Sequence, residues 1–209
     1  IISWTGTGSN GTIAHGLGVA PEMYIVKRRD ADGHSWAVYT ATLGATKQLR
    51  LSGTNAEITT ANIWNNTEPT SSVFSVGTNT DSNASSGTYI AYCMASVDGY
   101  SKFGKYTGNG NADGTFVYTG FRPAFVLIKS TSAVESWNIF DTARDPSNLT
   151  TQNLNPNVTN AESDASSGAR AIDILSNGFK LRGANSAVND GTFIYMAFAE
   201  QPFKYSNAR

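Results

Sequence analysis

The chain has 209 residues, a formal net charge of −1 and a charged-residue content of only 15%. Because an average soluble domain carries about 25% charged residues, the polar surface here must consist mainly of Ser, Thr, Asn and Gly. The balanced charge offers no basic field for phosphate groups, and no apolar run reaches the roughly 18 residues of a membrane span, so neither nucleic acid nor a membrane is an expected partner.

The cysteine and histidine content restricts the chemistry further. The single cysteine, Cys93, excludes an internal disulfide, and two histidines leave little for a metal site or for acid–base catalysis. We therefore expect no metal, no other cofactor and no catalytic residue. The chain begins at Ile1 and not at Met, so we expect it to be part of a longer protein.

The second half of the sequence repeats the first half, and the matched blocks keep their order. Such self-similarity is typical of a tandem repeat. The matched blocks are residues 4–8 and 106–110, 11–13 and 114–116, 21–27 and 123–129, 36–39 and 137–140, and 87–95 and 191–199. We therefore predict two diverged copies of one unit, residues 1–103 and residues 104–209.

The matched blocks are typical of β-strands. Residues 24–26 and 125–128 are short, continuously apolar and rich in β-branched or aromatic residues, and Pro lies on their N-terminal side. Asn-Gly and Asp-Gly pairs, which favour tight turns, lie between such segments. The sequence therefore predicts an all-β protein of two tandem, diverged, jelly-roll-like β-sandwich repeats. Bulky aromatics at the junction, Tyr100 and Phe103, favour close packing of the two repeats.

Two polar stretches between the strand blocks differ between the halves. Residues 77–86 form one, and residues 145–169, which are rich in Asn, form the longer one. Loops of this length in a compact domain are usually functional or contact another chain. A shared scaffold with divergent loops is the plan expected of a binding or assembly module.

Several motifs resemble a repeat found in tail-fibre-like proteins of marine bacteriophages. The motifs are residues 4–27 with Trp36, residues 89–93, 99–104, 106–110 and 120–123, and the ending 197–200, 202–204 and 208–209. The resemblance covers essentially the whole chain and implies a place on the virion exterior, on the tail or the capsid. It implies other virion proteins and copies of the same chain as partners, and we expect a homo-oligomer, specifically a homotrimer. No catalytic residue follows from it.

Trp64 is the strongest candidate for a ligand-binding residue. It lies between Asn62 and the pair Asn65 and Asn66, and it has no evident counterpart in the second half. An indole face can stack on a sugar ring while flanking amides bond its hydroxyl groups. The sequence therefore predicts a glycan site at Trp64, Asn65 and Asn66. The alternative is a hydrophobic plug that holds this loop against the core.

The other large aromatics are matched between the halves. Trp36 corresponds to Trp137, and Trp4 corresponds to Tyr106. A sugar platform could use such residues, but matched aromatics are more simply explained as core residues, because large aromatic side chains dominate core burial. We therefore predict that these four residues belong to the core.

Residues 109–114 partly match a calcium-binding loop, with oxygen-bearing side chains at alternate positions. The twelfth position of that pattern falls on Gly120, where a bidentate Glu is required. The equivalent stretch of the first half lacks the acidic residues. We therefore interpret residues 109–114 as an ordinary turn.

The two histidines and the cysteine have structural interpretations. His15 aligns with Tyr118, which favours an amphipathic side chain at a strand end. His34 lies beside a turn and is expected to be exposed. Cys93 lies within an apolar strand block and is expected to be a small buried hydrophobic residue.

Three functions remain open, and the first is preferred. The chain is predicted to be a non-enzymatic module of a tail fibre or receptor-binding tip that attaches to glycan on the host surface. The alternative is a structural component, either a capsid decoration or a cap for fibre assembly and trimerisation. A polysaccharide depolymerase is the weakest candidate, because it needs two carboxylates across a cleft. Its candidate acids are Glu135, Asp141, Glu162 and Asp164.

Overall fold

The chain folds into two compact units, Ile1–Ala95 and Ser96–Arg209. The computed structural model describes residues 1–164 and 168–201. The repeat boundary predicted between residues 103 and 104 falls inside a strand of the second unit, and the division itself lies earlier in the chain.

Two parts of the sequence-based interpretation lie outside the described residues. They are residues 165–167 of the long polar loop and residues 202–209, which contain the last motifs of the resemblance to phage proteins. Within the described part of the chain, no helix has the length and apolar character needed to cross a membrane.

The first unit consists of short antiparallel strands and one helical turn. Its elements are β1 (Ile2–Thr5), β2 (Gly11–Ala14), β3 (Met23–Arg28), β4 (Ala37–Thr40), β5 (Lys47–Arg50), β6 (Ile58–Thr59), β7 (Val73–Val76), α1 (Thr80–Asn83) and β8 (Thr88–Met94). One sheet has the strand order β1-β8-β3-β4-β5-β6, and β2 pairs with β7 in a second sheet.

Aromatic side chains from both sheets form the core of the first unit. Tyr24 of β3 stacks on Tyr39 of β4 with ring centroids 4.5 Å apart and on Phe74 of β7 at 4.6 Å. All three side chains are buried. Since Phe74 belongs to the small sheet and the tyrosines belong to the large one, the two sheets face each other across this core.

The second unit has the same kind of architecture. Its elements are β9 (Ser101–Asn109), β10 (Phe116–Tyr118), β11 (Phe125–Ser130), β12 (Asn138–Asp141), β13 (Gln152–Asn153), β14 (Ser163–Asp164), β15 (Ile172–Leu175), β16 (Gly178–Leu181) and β17 (Asp190–Phe198). One sheet has the order β12-β11-β17-β9, a second has the order β10-β16-β15, and β13 pairs with β14.

The core of the second unit again contains side chains from both main sheets. Tyr106 of β9 meets Phe179 of β16 edge to face at 6.1 Å and stacks on Phe193 of β17 at 5.0 Å. Val126 and Ile128 of β11 belong to the same buried cluster. The predicted all-β sandwich class is therefore confirmed.

One predicted loop contains a helical turn. α1 lies within residues 77–86, and Asn79 is its N-cap, whose side-chain oxygen accepts a hydrogen bond from the Asp81 amide at 2.8 Å. Asn is a favoured N-cap because its short side chain satisfies an amide that has no partner in the helix. The cap lies in a run of Asn, Ser and Thr, where the sequence pattern does not distinguish it from the neighbouring residues.

The two units share part of their strand order, and the tandem repeat itself stays a prediction. The order β1-β8-β3-β4 of the first unit corresponds to β9-β17-β11-β12 of the second. In the small sheets, β2 pairs with β7 as β10 pairs with β16. The matching order follows from local blocks that recur in the same sequence order.

The structure corrects the alignment of one matched block by one residue. His15 Nδ1 accepts a hydrogen bond from the Leu17 amide at 3.2 Å, and Thr119 Oγ1 accepts one from the Phe121 amide at 3.4 Å. His15 therefore corresponds to Thr119 and not to Tyr118. Both residues are buried, whereas Tyr118 is exposed, because successive residues of a strand point to opposite faces.

A buried asparagine organises the loop between β1 and β2 in the first unit. Asn83 Nδ2 donates to the carbonyl oxygens of Ser9 at 2.6 Å and Gly77 at 2.9 Å. Its Oδ1 accepts a hydrogen bond from the Thr7 amide at 2.9 Å. One side chain thus joins the loop of residues 7–9 to Gly77, which is far from that loop in sequence.

Asn189 has the same role in the second unit. Its Nδ2 donates to the carbonyl oxygens of Asn111 and Gly183, both at 2.8 Å, and to Asn109 Oδ1 at 3.1 Å. Its Oδ1 accepts from the Asn109 amide at 3.3 Å. Both asparagines are fully buried, so their hydrogen bonds replace contacts with water that the folded chain no longer allows.

Replacing Asn83 or Asn189 by Ala is expected to lower the free energy of unfolding by about 2–3 kcal/mol each, because buried polar groups lose their partners. Denaturant-induced unfolding measures the change. Asn10→Ala is the control, since Asn10 is exposed, and its effect should stay within about 0.5 kcal/mol. Equal losses for the buried and exposed positions would contradict the role assigned to these side chains.

Lys129 is fully buried on β11, and its Nζ donates to the Ser130 carbonyl oxygen at 2.8 Å. Burial lowers the pKa of Lys129 from 10.5 to about 8, because a low-dielectric environment disfavours the ammonium form. The folded state therefore binds this proton less tightly than the unfolded chain does.

Stability is expected to rise between pH 8 and pH 10, because the unfolded chain still holds the Lys129 proton while the folded chain releases it. Below pH 8, Lys129 is protonated in both the folded and the unfolded state. The folded state then carries the full free-energy cost of burying the ammonium charge. Chemical unfolding at a series of pH values measures this slope. Lys129→Met should abolish it, and Lys105→Met, at an exposed position of β9, should retain it.

Candidate functional site

Trp64 lies in the core of the first unit, and its side chain is 0% exposed. The indole Nε1 donates to the Lys47 carbonyl oxygen at 3.1 Å. Its ring meets Tyr24 edge to face at 4.9 Å and Tyr39 at 6.3 Å. Neither face of the indole is available to a sugar ring, so the predicted stacking role of Trp64 does not fit this structure. The alternative, a plug that anchors the loop, does fit.

Asn65 and Asn66 form the turn that follows the buried indole. Their φ angles are 52° and 47°, a left-handed conformation that Asn tolerates better than most residues. The Asn65 carbonyl oxygen accepts a hydrogen bond from Thr67 Oγ1 at 2.8 Å, and the Thr67 amide donates to the Trp64 carbonyl oxygen at 3.1 Å. Asn65, Asn66 and Thr67 therefore build a tight turn next to the buried Trp64. The stacking role predicted for Trp64 is corrected, and glycan binding at Asn65 and Asn66 stays a prediction.

Trp64→Ala is expected to lower the free energy of unfolding by about 3–5 kcal/mol, the usual cost of removing a buried Trp. Thermal or denaturant unfolding measures it. Trp64→Phe keeps part of the packing and should lose less. A variant with unchanged stability and altered ligand binding would show that the indole is exposed in solution.

The matched aromatics are mostly core residues, as predicted. Trp137 and Tyr106 are buried in the second unit. Trp4 packs against the core of the first unit and stacks on Tyr89 at 5.3 Å. Trp36 is only half-buried and lies outside the core cluster.

The outer face of the sheet β10-β16-β15 carries two exposed aromatic side chains. Phe116 is 43% exposed and Tyr118 is 64% exposed. Val117, between them, points the other way and belongs to the buried core. Phe116 and Tyr118 thus lie on the same face of one strand, two residues apart, and we call them the aromatic strip.

Glycines lie beside both rings of the aromatic strip. A side-chain carbon at Gly178, on the neighbouring strand β16, would lie 3.1 Å from the Phe116 ring. One at Gly120 would lie 3.7 Å from the Tyr118 hydroxyl oxygen. The absence of side chains at these positions leaves space for the rings to lie along the sheet surface.

Two ion pairs lie on the same outer face. Lys180 of β16 is opposite Phe116 in the sheet register and contacts Asp113 Oδ1 at 2.9 Å. Arg182 Nε contacts Asp173 Oδ2 at 2.7 Å, and its Nη1 lies 4.0 Å from Asp113. The hydrogen bond from Lys180 lowers the pKa of Asp113, which therefore stays ionised at neutral pH. The charges of these two ion pairs are balanced.

Residues 109–114 form a turn that places Asp113 at the edge of this face. Asn109 Oδ1 accepts from the Asn111 amide at 3.1 Å, and Asn111 Oδ1 accepts from the Asp113 amide at 2.9 Å. The buried Asn189 side chain donates hydrogen bonds to Asn109 Oδ1 and to the Asn111 carbonyl oxygen of the same turn. These side-chain oxygens accept bonds from backbone amides, as the interpretation of an ordinary turn requires. Within the described residues, no cluster of three His, Cys, Asp or Glu residues could hold a metal ion.

The corresponding positions of the first unit carry no aromatic residues. Ile13 of β2 is opposite Phe74 of β7, as Val117 is opposite Phe179, so the outward neighbours of Ile13 are Thr12 and Ala14. The aromatic strip is therefore a feature of the second unit. Sequence matching missed it because the one-residue error placed Phe116 opposite Ile13, on the core side. The alternation of Phe116, Val117 and Tyr118 was the available signal.

His34 belongs to a polar network in the first unit. Its Nδ1 lies 3.0 Å from Asp81 Oδ1, and its Nε2 lies 3.1 Å from Arg28 Nη1. Arg28 Nε also donates to Asp30 Oδ1 at 3.0 Å. Because a guanidinium only donates, Nε2 accepts and Nδ1 donates to Asp81. His34 is half-buried, so the prediction of an exposed side chain is wrong, and the nitrogen that could act as a base is occupied.

The long polar loop, residues 145–169, covers strand edges in its described part. Asn148 Oδ1 accepts a hydrogen bond from the Ile174 amide at 2.9 Å, and Asn148 Nδ2 donates one to the Ile174 carbonyl oxygen at 3.0 Å. Asn155 Nδ2 donates to the Trp137 carbonyl oxygen at 2.6 Å, and Asn157 Oδ1 accepts from the Trp137 amide at 3.0 Å. These amides satisfy edge groups that would otherwise be open to another strand.

Two of the acids considered for hydrolysis are joined by one arginine. Arg144 Nε contacts Asp141 Oδ2, and its Nη1 contacts Glu162 Oε2, both at 2.6 Å. Asp141 Oδ1 also accepts from the Arg144 amide at 2.9 Å. Arg144 thus connects Asp141 of β12 to Glu162 of the long polar loop through two ion pairs. Both carboxylates already have a partner.

A family model described as Domain of unknown function (DUF7483) matches residues 1–202. The chain belongs to this family. The match extends over both units, so a DUF7483 domain contains both sandwiches. No curated protein and no solved structure matches the chain.

Proposed function

We propose that this DUF7483 domain is a non-enzymatic module of a bacteriophage virion that attaches to glycan on the host surface. The observation that carries the proposal is the aromatic strip, Phe116 and Tyr118, on a sheet face that also presents charged hydrogen-bonding groups. Exposed aromatic rings supply stacking surface for the apolar face of a sugar, and fixed polar groups supply its orientation.

The position of the strip favours a binding role over a role in folding. The core of the second unit is complete without these two side chains, since neither Phe116 nor Tyr118 belongs to the buried cluster. Leaving a large aromatic exposed forgoes about 2 kcal/mol of burial. A ligand that covers the rings would recover part of this free energy.

The virion setting rests on the resemblance of the sequence motifs to those of phage tail-fibre-like proteins. The low charge content and the Asn-rich turns agree with a protein of the virion exterior. The homotrimer stays a prediction, as does the partnership with other virion proteins.

Fluorescently labelled chain is expected to bind saturably to cells within a panel of marine bacteria, and polysaccharide extracted from those cells should compete. Phe116→Ala and Tyr118→Ala should each weaken attachment at least about tenfold, equal to about 1.4 kcal/mol. Because both side chains lie outside the core cluster, the unfolding temperature should fall by only a few degrees.

The control is Val134→Ala, an exposed apolar residue of the same unit outside the strip, and it should bind as the original chain does. Attachment that is unaffected by both aromatic substitutions would refute the site. No saturable attachment to any cell of the panel would favour the alternative, a structural decoration or fibre cap.

A further inference from the structure

We infer that the glycan bound at the aromatic strip is uncharged and is held through neighbouring hydroxyl groups. This inference rests on the proposed function, and it concerns the chemical class of the ligand. Its basis is the pairing of Lys180 with Asp113 and of Arg182 with Asp173 on the outer face of the sheet β10-β16-β15.

Two ion pairs formed by described residues lie on the outer face. Lys180 pairs with Asp113 at 2.9 Å, and Arg182 pairs with Asp173 at 2.7 Å. Lys180 also donates to the Gly114 carbonyl oxygen at 2.7 Å. These two pairs have no net charge, and an ionic ligand that approached them would find each group of opposite sign already neutralised.

Asp113 makes the face unsuitable for an acidic sugar. Its side chain is 84% exposed, far more than that of its partner Lys180. A carboxylate or sulfate that approached Lys180 would meet the ionised Asp113 first, and like charges at short range repel. Binding of an acidic ligand would be opposed by this residue.

The Lys180–Asp113 pair suits a neutral diol. A carboxylate accepts hydrogen bonds and an ammonium donates them, so adjacent atoms of the pair can accept from one hydroxyl and donate to the next. Hydrogen bonds that involve charged groups are roughly twice as strong as neutral ones. Lys180 is opposite Phe116 in the sheet, which places the ion pair beside the stacking surface.

The backbone that carries Asp113, the hydrogen-bond acceptor of this ion pair, is held in place in the absence of a ligand. The Asp113 amide is held by Asn111 Oδ1 at 2.9 Å, and the Asp113 carbonyl oxygen is held by Asn109 Nδ2 at 2.9 Å. The buried Asn189 bonds both Asn109 and Asn111. Preorganised groups lose little freedom on binding, so they contribute more to affinity.

The sign of one substitution tests the inference. Asp113→Ala should weaken binding of cell-derived polysaccharide at least about fivefold if the ligand is neutral. The same change should strengthen binding if the ligand is acidic, because it removes a repulsive charge. The turn uses the backbone of Asp113 and not its side chain, so the fold is retained. Asp98→Asn, at an exposed position of the same unit, is the charge control.

Two measurements on polysaccharide from a bound bacterium complete the test. After anion exchange, the uncharged fraction should compete for attachment and the acidic fraction should not. Affinity should change less than about threefold between 50 and 500 mM NaCl, since an uncharged ligand has no Coulomb attraction to the face for salt to screen.

The outcomes separate the inference from the proposed function. The inference of a neutral ligand would be overturned if only the acidic fraction competed, or if Asp113→Ala bound more tightly. In either case, a loss of attachment in Phe116→Ala would still support a glycan site. Attachment that survives Phe116→Ala and Tyr118→Ala would instead overturn the proposed function itself.

Discussion

The hydrogen bonds of the buried Asn189 are the constraint on which the candidate site depends. This side chain joins Gly183 to Asn109 and Asn111, two residues of the turn 109–114, which is far from Gly183 in sequence. A side-chain carbon at Gly108 would lie 2.2 Å from the Asn189 carbonyl carbon, so only Gly allows the strands to approach this closely. The turn that presents Asp113 is therefore fixed from inside the sandwich.

Because successive side chains of a strand alternate in direction, β10 presents one face to the core and the other face to the outside. Val117 points into the core, and burial of such side chains supplies most of the stability of a β-sandwich. Phe116 and Tyr118 point outward from the same strand, where Lys180 of the neighbouring strand lies on the same face. Rigid elements hold binding groups more accurately than free loops do, which suits a sheet face as a recognition surface.

The two units use one strand order for different surfaces. Asn83 and Asn189 hold corresponding turns, and both small sheets close over an aromatic core. The outward positions of the first unit are Thr12 and Ala14, which offer no stacking surface. Outward positions contribute little to folding, so they can diverge while the buried network is retained. The proposed site thus lies where the scaffold tolerates change.

The sequence by itself determined the all-β class, the strand blocks and the burial of Trp137 and Tyr106, because these depend on local patterns of apolar residues and turns. Only the tertiary structure decided that Trp64 is buried and that Phe116 and Tyr118 are exposed. A shift of one residue in a strand exchanges its two faces, and sequence matching between the halves did not fix that register. The partners of Asn189 are also invisible in the sequence, since they come from segments far apart along the chain. Register and long-range hydrogen bonds are set by the packing of whole sheets, and they created the outer face on which the proposed function rests.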